Sequence, residues 1–336
     1  MTKPPLRRTS NPMGEFELIR QHFLRPGVKL PDDVVLGVGD DGALLRPAPD
    51  HELVISTDML VQDRHFFATV DANALGHKAL AVNLSDLAAM GARPLGFTLA
   101  LALPEADDAW LADFAQGLFA LADAHHCPLV GGDTTRGPLN VCITVFGQVP
   151  AGRALRRSAA RAGDDLYLSG RTGEARLALE QQRGTAWAGT ATSATLRARL
   201  ERPTPRNALG VALAAVEGAH AAIDLSDGLA GDLGHILTAS SVGADIELSA
   251  LPVAPELAAL PDAERLECLL AGGDDYELLF TADPAAREVV RSASVLSGTP
   301  VTRIGRITTG NGVRLLDAQG QPQSVRVQGF DHFAQG

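Results

Sequence analysis

Apolar residues recur along this chain in two alternating rhythms, short runs of strand length and longer stretches with helical spacing. Residues 53–56 are β-like and end in the polar pair Thr57-Asp58. Over residues 72–90 the period lengthens. Leu80, Leu84 and Leu87 fall at i, i+4 and i+7 as one stripe, with Asn83 and Asp86 on a different side of the helix. Residues 95–103 predict the next strand, after which Asp107 or Asp108 caps a helix whose Leu111, Phe114, Leu118, Leu121 and His125 share a face. Residues 128–130 and 141–149 predict strands on either side of a polar, glycine-rich segment, Gly131-Gly132-Asp133-Thr134-Thr135-Arg136-Gly137.

The second half repeats the style. Residues 166–169 predict a strand that leads through Gly170 and Gly173 into a helix of Ala, Leu and Glu. Residues 183–193 are low in complexity, and Pro203 and Pro205 mark a break before a further helix. Apolar runs follow at 221–224, 244–248, 276–280 and 301–307, with a helix over 229–239. Periodicity lapses between 150 and 161. The pattern is that of a two-domain α/β protein: an extension over 1–13, a first domain over 14–150 and a second over 151–336. The halves echo each other, with Leu84-Ser85-Asp86-Leu87 resembling Leu225-Ser226-Asp227-Gly228, and Gly131-Gly132-Asp133 resembling Gly272-Gly273-Asp274.

Composition narrows the function. With 336 residues, 46% hydrophobic and 21% charged, the chain can bury a sizeable core, which excludes wholesale disorder. Forty acidic residues against 29 basic ones leave a formal charge of -11, a poor balance for non-specific nucleic-acid binding. The longest apolar stretch, near 95–103, is too short to cross a bilayer, and no apolar core follows Arg7-Arg8 as a signal peptide would need. Cys127, Cys142 and Cys268 lack metal-ligand spacing and read as free thiols of a reducing compartment. The expectation is a soluble, cytoplasmic protein with no nucleic-acid or membrane partner.

Finer counts change the picture. Twenty-six of the acids are Asp, whereas the only lysines are Lys3, Lys29 and Lys78. Asp suits turns and helix caps, and many of these residues have that use. Several, however, stand where an α/β protein binds ligands, at strand ends and in the loops after them. Asp40-Asp41 lies between glycines, Ser56-Thr57-Asp58 ends a strand, Asp86 is on a helix flank, Asp133 follows Gly-Gly, and Asp224 and Asp227 flank Ser226. Carboxylate and hydroxyl oxygens are the ligands Mg²⁺ prefers. Carboxylates gathered without cations repel one another. Several divalent ions suit phosphoryl transfer, yet no P-loop and no protein-kinase motif set is present. With so little lysine, arginines such as Arg136, Arg153, Arg156 and Arg157 are the candidate phosphate clamps.

These motifs, taken together, resemble the thiamine-monophosphate kinase family. The resemblance rests on Gly39-Asp40-Asp41-Gly42-Ala43, Ser56-Thr57-Asp58-Met59-Leu60-Val61, His65-Phe66, the block from Lys78 to Ala92, and Gly131 to Gly137. It continues through Ile223-Asp224-Leu225-Ser226-Asp227-Gly228-Leu229 and Gly272-Gly273-Asp274-Asp275-Tyr276-Glu277-Leu278. It runs in order from Gly14 to about Phe333, and the Lys78-to-Ala92 block is its most specific part. The resemblance implies ATP-dependent phosphorylation of thiamine monophosphate to thiamine diphosphate. It implies the aminoimidazole ribonucleotide synthetase-like fold, two α/β domains dimerising through N-terminal strands. It also implies several Mg²⁺ ions, held by Asp41, Ser56, Thr57, Asp58, Asp86, Asp133, Asp224 and Asp227. ATP contacts would come from Gly132, Asp133, Arg157 and Ser226, and contacts to thiamine monophosphate from His65, Asp274 and Phe330. Two positions depart from the family pattern: Gln62-Asp63-Arg64 stands where a Gly is common, and Phe330 where Tyr or Trp is more frequent.

The acceptor in such a reaction is already an anionic phosphate, so no general base is expected. The barrier is the meeting of two anions, which metal ions held by the Asp set would neutralise and align for in-line transfer. Related enzymes of the fold fit less well. Selenophosphate synthetase would carry a reactive N-terminal Cys, and no Cys precedes residue 127. The carbamoyl-dehydrating hydrogenase maturation protein would end in Cys, whereas this chain ends Ala334-Gln335-Gly336. Aminoimidazole ribonucleotide synthetase itself is disfavoured by the Lys78-to-Ala92 block, and a non-catalytic nucleotide-binding protein by the intact Asp set.

Overall fold

The computed structural model describes residues 14–189 and 193–323. A short helix α1 (Glu15–Leu18) and a further turn over Ile19–Phe23 precede a small two-stranded ribbon, β1 (Val34–Leu36) and β2 (Leu44–Leu45). A four-stranded sheet follows, built from β3 (His51–Val61), β4 (Arg93–Leu103), β5 (Leu129–Arg136) and β6 (Asn140–Pro150) in the order β3-β6-β4-β5. Only the β4–β5 pair is parallel. Two helices, α2 (Ala72–Ala89) and α3 (Asp108–Ala124), supply the other half of this core. The polar segment 131–136, expected as a loop, is instead most of β5. Its backbone pairs with the apolar β4, and cross-strand hydrogen bonds override a sequence poor in strand formers.

The second sheet has seven strands: β7 (Asp165–Ser169), β8 (Ala219–Asp224), β9 (Gly243–Glu247), β10 (Leu278–Ala282), β11 (Val301–Thr308), β12 (Gly312–Leu316) and β13 (Pro322–Gln323). Their order is β13-β12-β9-β11-β7-β10-β8, antiparallel except for β9–β12. Around it lie α4 (Glu174–Arg183), α5 (Ala194–Glu201), α6 (Asn207–Ala215), α7 (Leu229–Ser240), α8 (Pro255–Ala258), α9 (Asp262–Ala271) and α10 (Arg287–Ser297). No helix among the described residues is long and apolar enough to cross a membrane.

Helix α2 is the element on which the site depends. Its sequence predicts one apolar stripe, but all its positions except Asn73, His77 and Asp86 are buried. A helix buried all round needs partners on every side. The β3–β6 sheet covers one side, and glycines bring neighbouring helices against the others. A Cβ at Gly117 of α3 would lie 1.8 Å from Asn73 O, and one at Gly210 of α6 would lie 2.1 Å from Ala88 O. The side-chain amide of Asn207 donates to Leu84 O (2.8 Å), and His77 Nε2 pairs with Pro203 O (2.9 Å). The second half of the chain therefore grips α2 directly.

Candidate active site

Strand β3 is an edge of its sheet, so its outer backbone groups must find partners elsewhere. Helix α2 provides them: Asp58 N–H donates to Asn83 Oδ1 (3.0 Å), and Asn83 is itself tied to Ala79 O (2.9 Å). On the same face Ser56 Oγ donates to Asp86 Oδ2 (2.5 Å). Ser56, Asp58 and Asp86 are thus assembled by one strand–helix contact. Asp224 ends β8 and Asp227 follows three residues later in the turn to α7, and both reach the same region.

Crowding is legible in the acidities. Burial pushes the Asp58 carboxyl up from an ordinary 3.8 to about 6, and the charges of Asp86 and Asp227 add to the rise. Burial also raises Asp86, while the Ser56 hydrogen bond and the Arg157 guanidinium draw it back. Asp224 is raised well above the ordinary range by burial and then by Asp86, with Asp232 and Asp58 contributing. Burial pushes Asp232, in the first turn of α7, up to about 7 although it accepts the Asp227 N–H (3.1 Å).

Such a set needs cations before all its members ionise. Among the described residues no three acidic, thiol or imidazole groups are already arranged to hold an ion. Mg²⁺ takes one or two carboxylates, keeps several waters and draws its remaining ligands from substrate phosphates. The donors present are carboxylates and a hydroxyl, and this fits the ion.

The sign of the pH effect follows. A carboxyl raised on folding binds its proton more tightly in the folded chain, so folded stability declines as pH climbs from 3.8 through about 6. Asp58→Asn removes this penalty. In chelator its melting temperature is expected to exceed wild type at pH 7.5, and the gap to close towards pH 4. A gap independent of pH contradicts the assignment.

The expected ligands do not all meet. Cross-strand register puts Asp58, Ile143, Leu99 and Gly132 in one row, and Met59, Cys142, Ala100 and Asp133 in the next. Neighbouring rows point to opposite faces. Ser56 and Asp58 face α2, whereas Thr57 and Asp133 face the open side, where Thr57 Oγ1 pairs with Thr144 Oγ1 (2.8 Å). Asp41 and Asp133 share a cavity lined also by Arg20, Asp40 and Thr98. Gly132 belongs to it too, and its backbone runs so close to β4 that a Cβ would sit 1.9 Å from Leu99 O. Arg157, exposed in a short turn over Arg157–Ala159, acts electrostatically on Asp86 and Asp232. Ser226 is exposed in the loop between Asp224 and Asp227.

His65 and Asp274 do meet, in a pocket shared by the 63–70 loop, α4 and α5. His65 Nδ1 accepts the Val61 N–H (3.0 Å), which in the neutral ring leaves the proton on Nε2. Asp274 has the left-handed φ of 65° and Tyr276 one of 50°. The Asp274 N–H donates to Ser226 O (2.9 Å) and the Tyr276 N–H to Leu225 O (2.8 Å), which locks this kinked segment on the acidic loop. The kink delays the strand, so β10 begins at Leu278 and not at Tyr276 as expected. The adjacent Asp275 turns inward, and both its oxygens accept the Gly173 N–H (3.0 Å) at the start of α4. Phe330 lies outside the described residues.

Behind Asp274 is an ionic network that no local pattern in the chain announces. Glu277, 1% exposed, accepts from Arg206 Nε (2.7 Å) and Nη2 (2.5 Å), Arg199 Nη2 (3.0 Å) and Ser169 Oγ (2.6 Å). Burial alone would raise its carboxyl, but the two guanidinium groups and the hydroxyl hold it below the ordinary value. Asp232 was also missed; its position in the first turn of a predicted helix, where an acid meets free N–H groups, was the available signal. Lys78, set aside for the scarcity of lysine, pairs with Asp274 at 2.7 Å.

Comparison with known proteins places this geometry. Residues 39–149 match the AIR synthase related protein, N-terminal domain, and residues 161–318 the corresponding C-terminal domain. The thiamine-monophosphate kinase of Salmonella typhimurium is 45% identical over 326 residues, 96% of this chain and 98% of that protein. The crystal structure of thiamine-monophosphate kinase from Stenotrophomonas maltophilia superposes with a TM-score of 0.79 at 48% identity, over 87% of this chain and 93% of that one. A structure of AaThiL complexed with AMPPCP and TMP superposes with a TM-score of 0.73 at 28% identity, over 85% and 89%.

Proposed function

Since the chain belongs to the thiamine-monophosphate kinase family, we infer that it transfers the γ-phosphoryl group of ATP to thiamine monophosphate, giving thiamine diphosphate. The observation that carries the reading is the junction of two sites. The acidic cluster of Asp58, Asp86, Asp224 and Asp227 adjoins the pocket of His65 and Asp274, because Tyr276 lies beside Asp274 and also feels Asp58 and Asp224. A nucleotide on the first and a small cation on the second would bring donor and acceptor phosphates together.

Mg²⁺ would be held by Asp58, Asp86, Asp224, Asp227 and Ser56, and a further Mg²⁺ on the open face by Thr57, Asp41 and Asp133. When bound it would offset the charge of the two phosphates. The protein's own groups do the rest. Arg157 adds positive charge near Asp86, and Gly132 and Ser226 would contact the nucleotide. His65 and Asp274 orient the acceptor, with Phe330 as a further contact. The acceptor oxygen is already anionic, so no side chain need remove a proton, and transfer is direct and in line.

The open face of the first sheet supports a homodimer. Leu53, Ile55 and Met59 are 46%, 57% and 53% exposed there, an apolar surface of the kind that a second copy covers. Wild type is expected to sediment as a dimer and Ile55→Asp as a monomer; a monomeric wild type refutes this arrangement. The free thiols of Cys127, Cys142 and Cys268 support a cytoplasmic setting.

Purified protein with γ-labelled ATP and Mg²⁺ tests the function. Label is expected in thiamine diphosphate only when thiamine monophosphate is present, and none on the denatured protein. Label retained by the protein excludes direct transfer, and ADP release indifferent to the acceptor overturns the whole reading.

A further inference from the structure

Lys78 is a buried ammonium at the floor of the acceptor pocket. Its side chain is 5% exposed, and Nζ lies 2.7 Å from Asp274 Oδ1, whose side chain is 29% exposed to that pocket. An ion pair removed from water carries a desolvation cost that its attraction must offset. Lys78 and Asp86 both lie on α2, eight residues or roughly 12 Å apart along the axis. Through Tyr276, whose hydroxyl reaches Asp274 and which also feels Asp58 and Asp224, the pair adjoins the acidic cluster.

The acceptor carries a cationic thiazolium joined through a short alkyl chain to an anionic phosphate. We propose that it binds by splitting the Lys78–Asp274 pair, the thiazolium taking the Asp274 carboxylate and the released Lys78 ammonium taking the acceptor phosphate. The structure suits each half. Asp274 is fixed by its N–H to Ser226 O and by the Tyr276 hydroxyl at 3.3 Å, so the carboxylate stays in place. Lysine carries its charge on a flexible four-carbon stem and can turn toward the cluster without moving α2. Every charge has a partner before and after the exchange, so neither ion is left buried alone. In this scheme Lys78 touches the reacting phosphate and is a catalytic residue, and the phosphate-free alcohol thiamine engages only half the site.

The proposal rests on the acceptor being thiamine monophosphate, and the test separates the two. A wild type inactive on that acceptor refutes the functional reading. With wild type active, Lys78→Met is expected to raise KM for thiamine monophosphate at least about tenfold and leave KM for ATP within about threefold. The same variant should bind thiamine as tightly as wild type or more tightly, because Asp274 has lost its competitor. Equal weakening for thiamine and its phosphate marks a purely structural ion pair and overturns the proposal. Wild type supplies a second measurement that needs no variant. Saturating thiamine should lower the dissociation constant of inorganic phosphate by about fivefold, since each ligand frees the partner of the other. No coupling, or antagonism, equally overturns it.

Discussion

Asp58→Asn is expected to lower the rate of thiamine diphosphate formation by roughly a thousandfold, the scale of losing a charge-stabilising group at a phosphoryl-transfer centre. The substitution keeps the shape of the side chain and removes one anionic oxygen. At Asp58 burial raises the pKa first, and the charges of Asp86 and Asp227 add to the rise. Asp58 is also placed by its backbone, through Asn83 of α2, so the variant's chain path is held independently of the carboxylate. Loss of activity should therefore come without loss of fold, and in chelator at neutral pH with a gain in melting temperature. Raising Mg²⁺ should restore little. More than a tenth of wild-type turnover at saturating Mg²⁺ would remove Asp58 from the metal set.

Glu277→Ala should act oppositely, on stability first. Deleting this carboxylate takes their common anion from Arg206 and Arg199, 16% and 19% exposed, and leaves Arg199 only the longer pair with Glu174 at 3.6 Å. Removing one partner of a buried ion pair costs about 3–5 kcal/mol. Chemical denaturation of the protein in its functional buffer measures this, and Glu277→Ala/Arg206→Ala should be less destabilised than the two single losses summed. A cost below about 1 kcal/mol would mean the network is solvated and incidental. Ser169 links the same carboxylate to β7, and Arg206 immediately precedes Asn207, whose amide holds Leu84 O of α2. Partial unfolding should therefore loosen the acceptor pocket and the α2 contact together.

Much of this was legible in the amino-acid order. The strand at 53–56, the helix over 72–90 and a helix capped by Asp107 or Asp108 followed from period and capping, which are local properties, although the strand runs on through Thr57-Asp58 to Val61. The motif residues that the resemblance selected include His65 and Asp274, and the fold does bring these to one pocket. What misled was also local. Residues 131–136 look like a loop, because glycine and threonine between turn formers carry no sign that β4 will pair with them. Residues 276–277 look like strand, because an apolar run does not announce a left-handed backbone at Tyr276.

By itself, then, the sequence determined the kind of chemistry: many short carboxylates, almost no lysine, and motifs that identify the family. The tertiary structure decided which of those carboxylates stand together. Asp58 and Asp133 look equivalent as motif residues, yet the pleat of the first sheet turns them to opposite faces. The structure also turned Lys78 from a residue discounted by composition into the partner of Asp274. Periodicity reports contacts within a few residues, whereas both of these outcomes depend on pairings between distant segments, such as Leu99 with Gly132 and Lys78 with Asp274. Cross-strand register and helix packing set those pairings, and no local pattern encodes them.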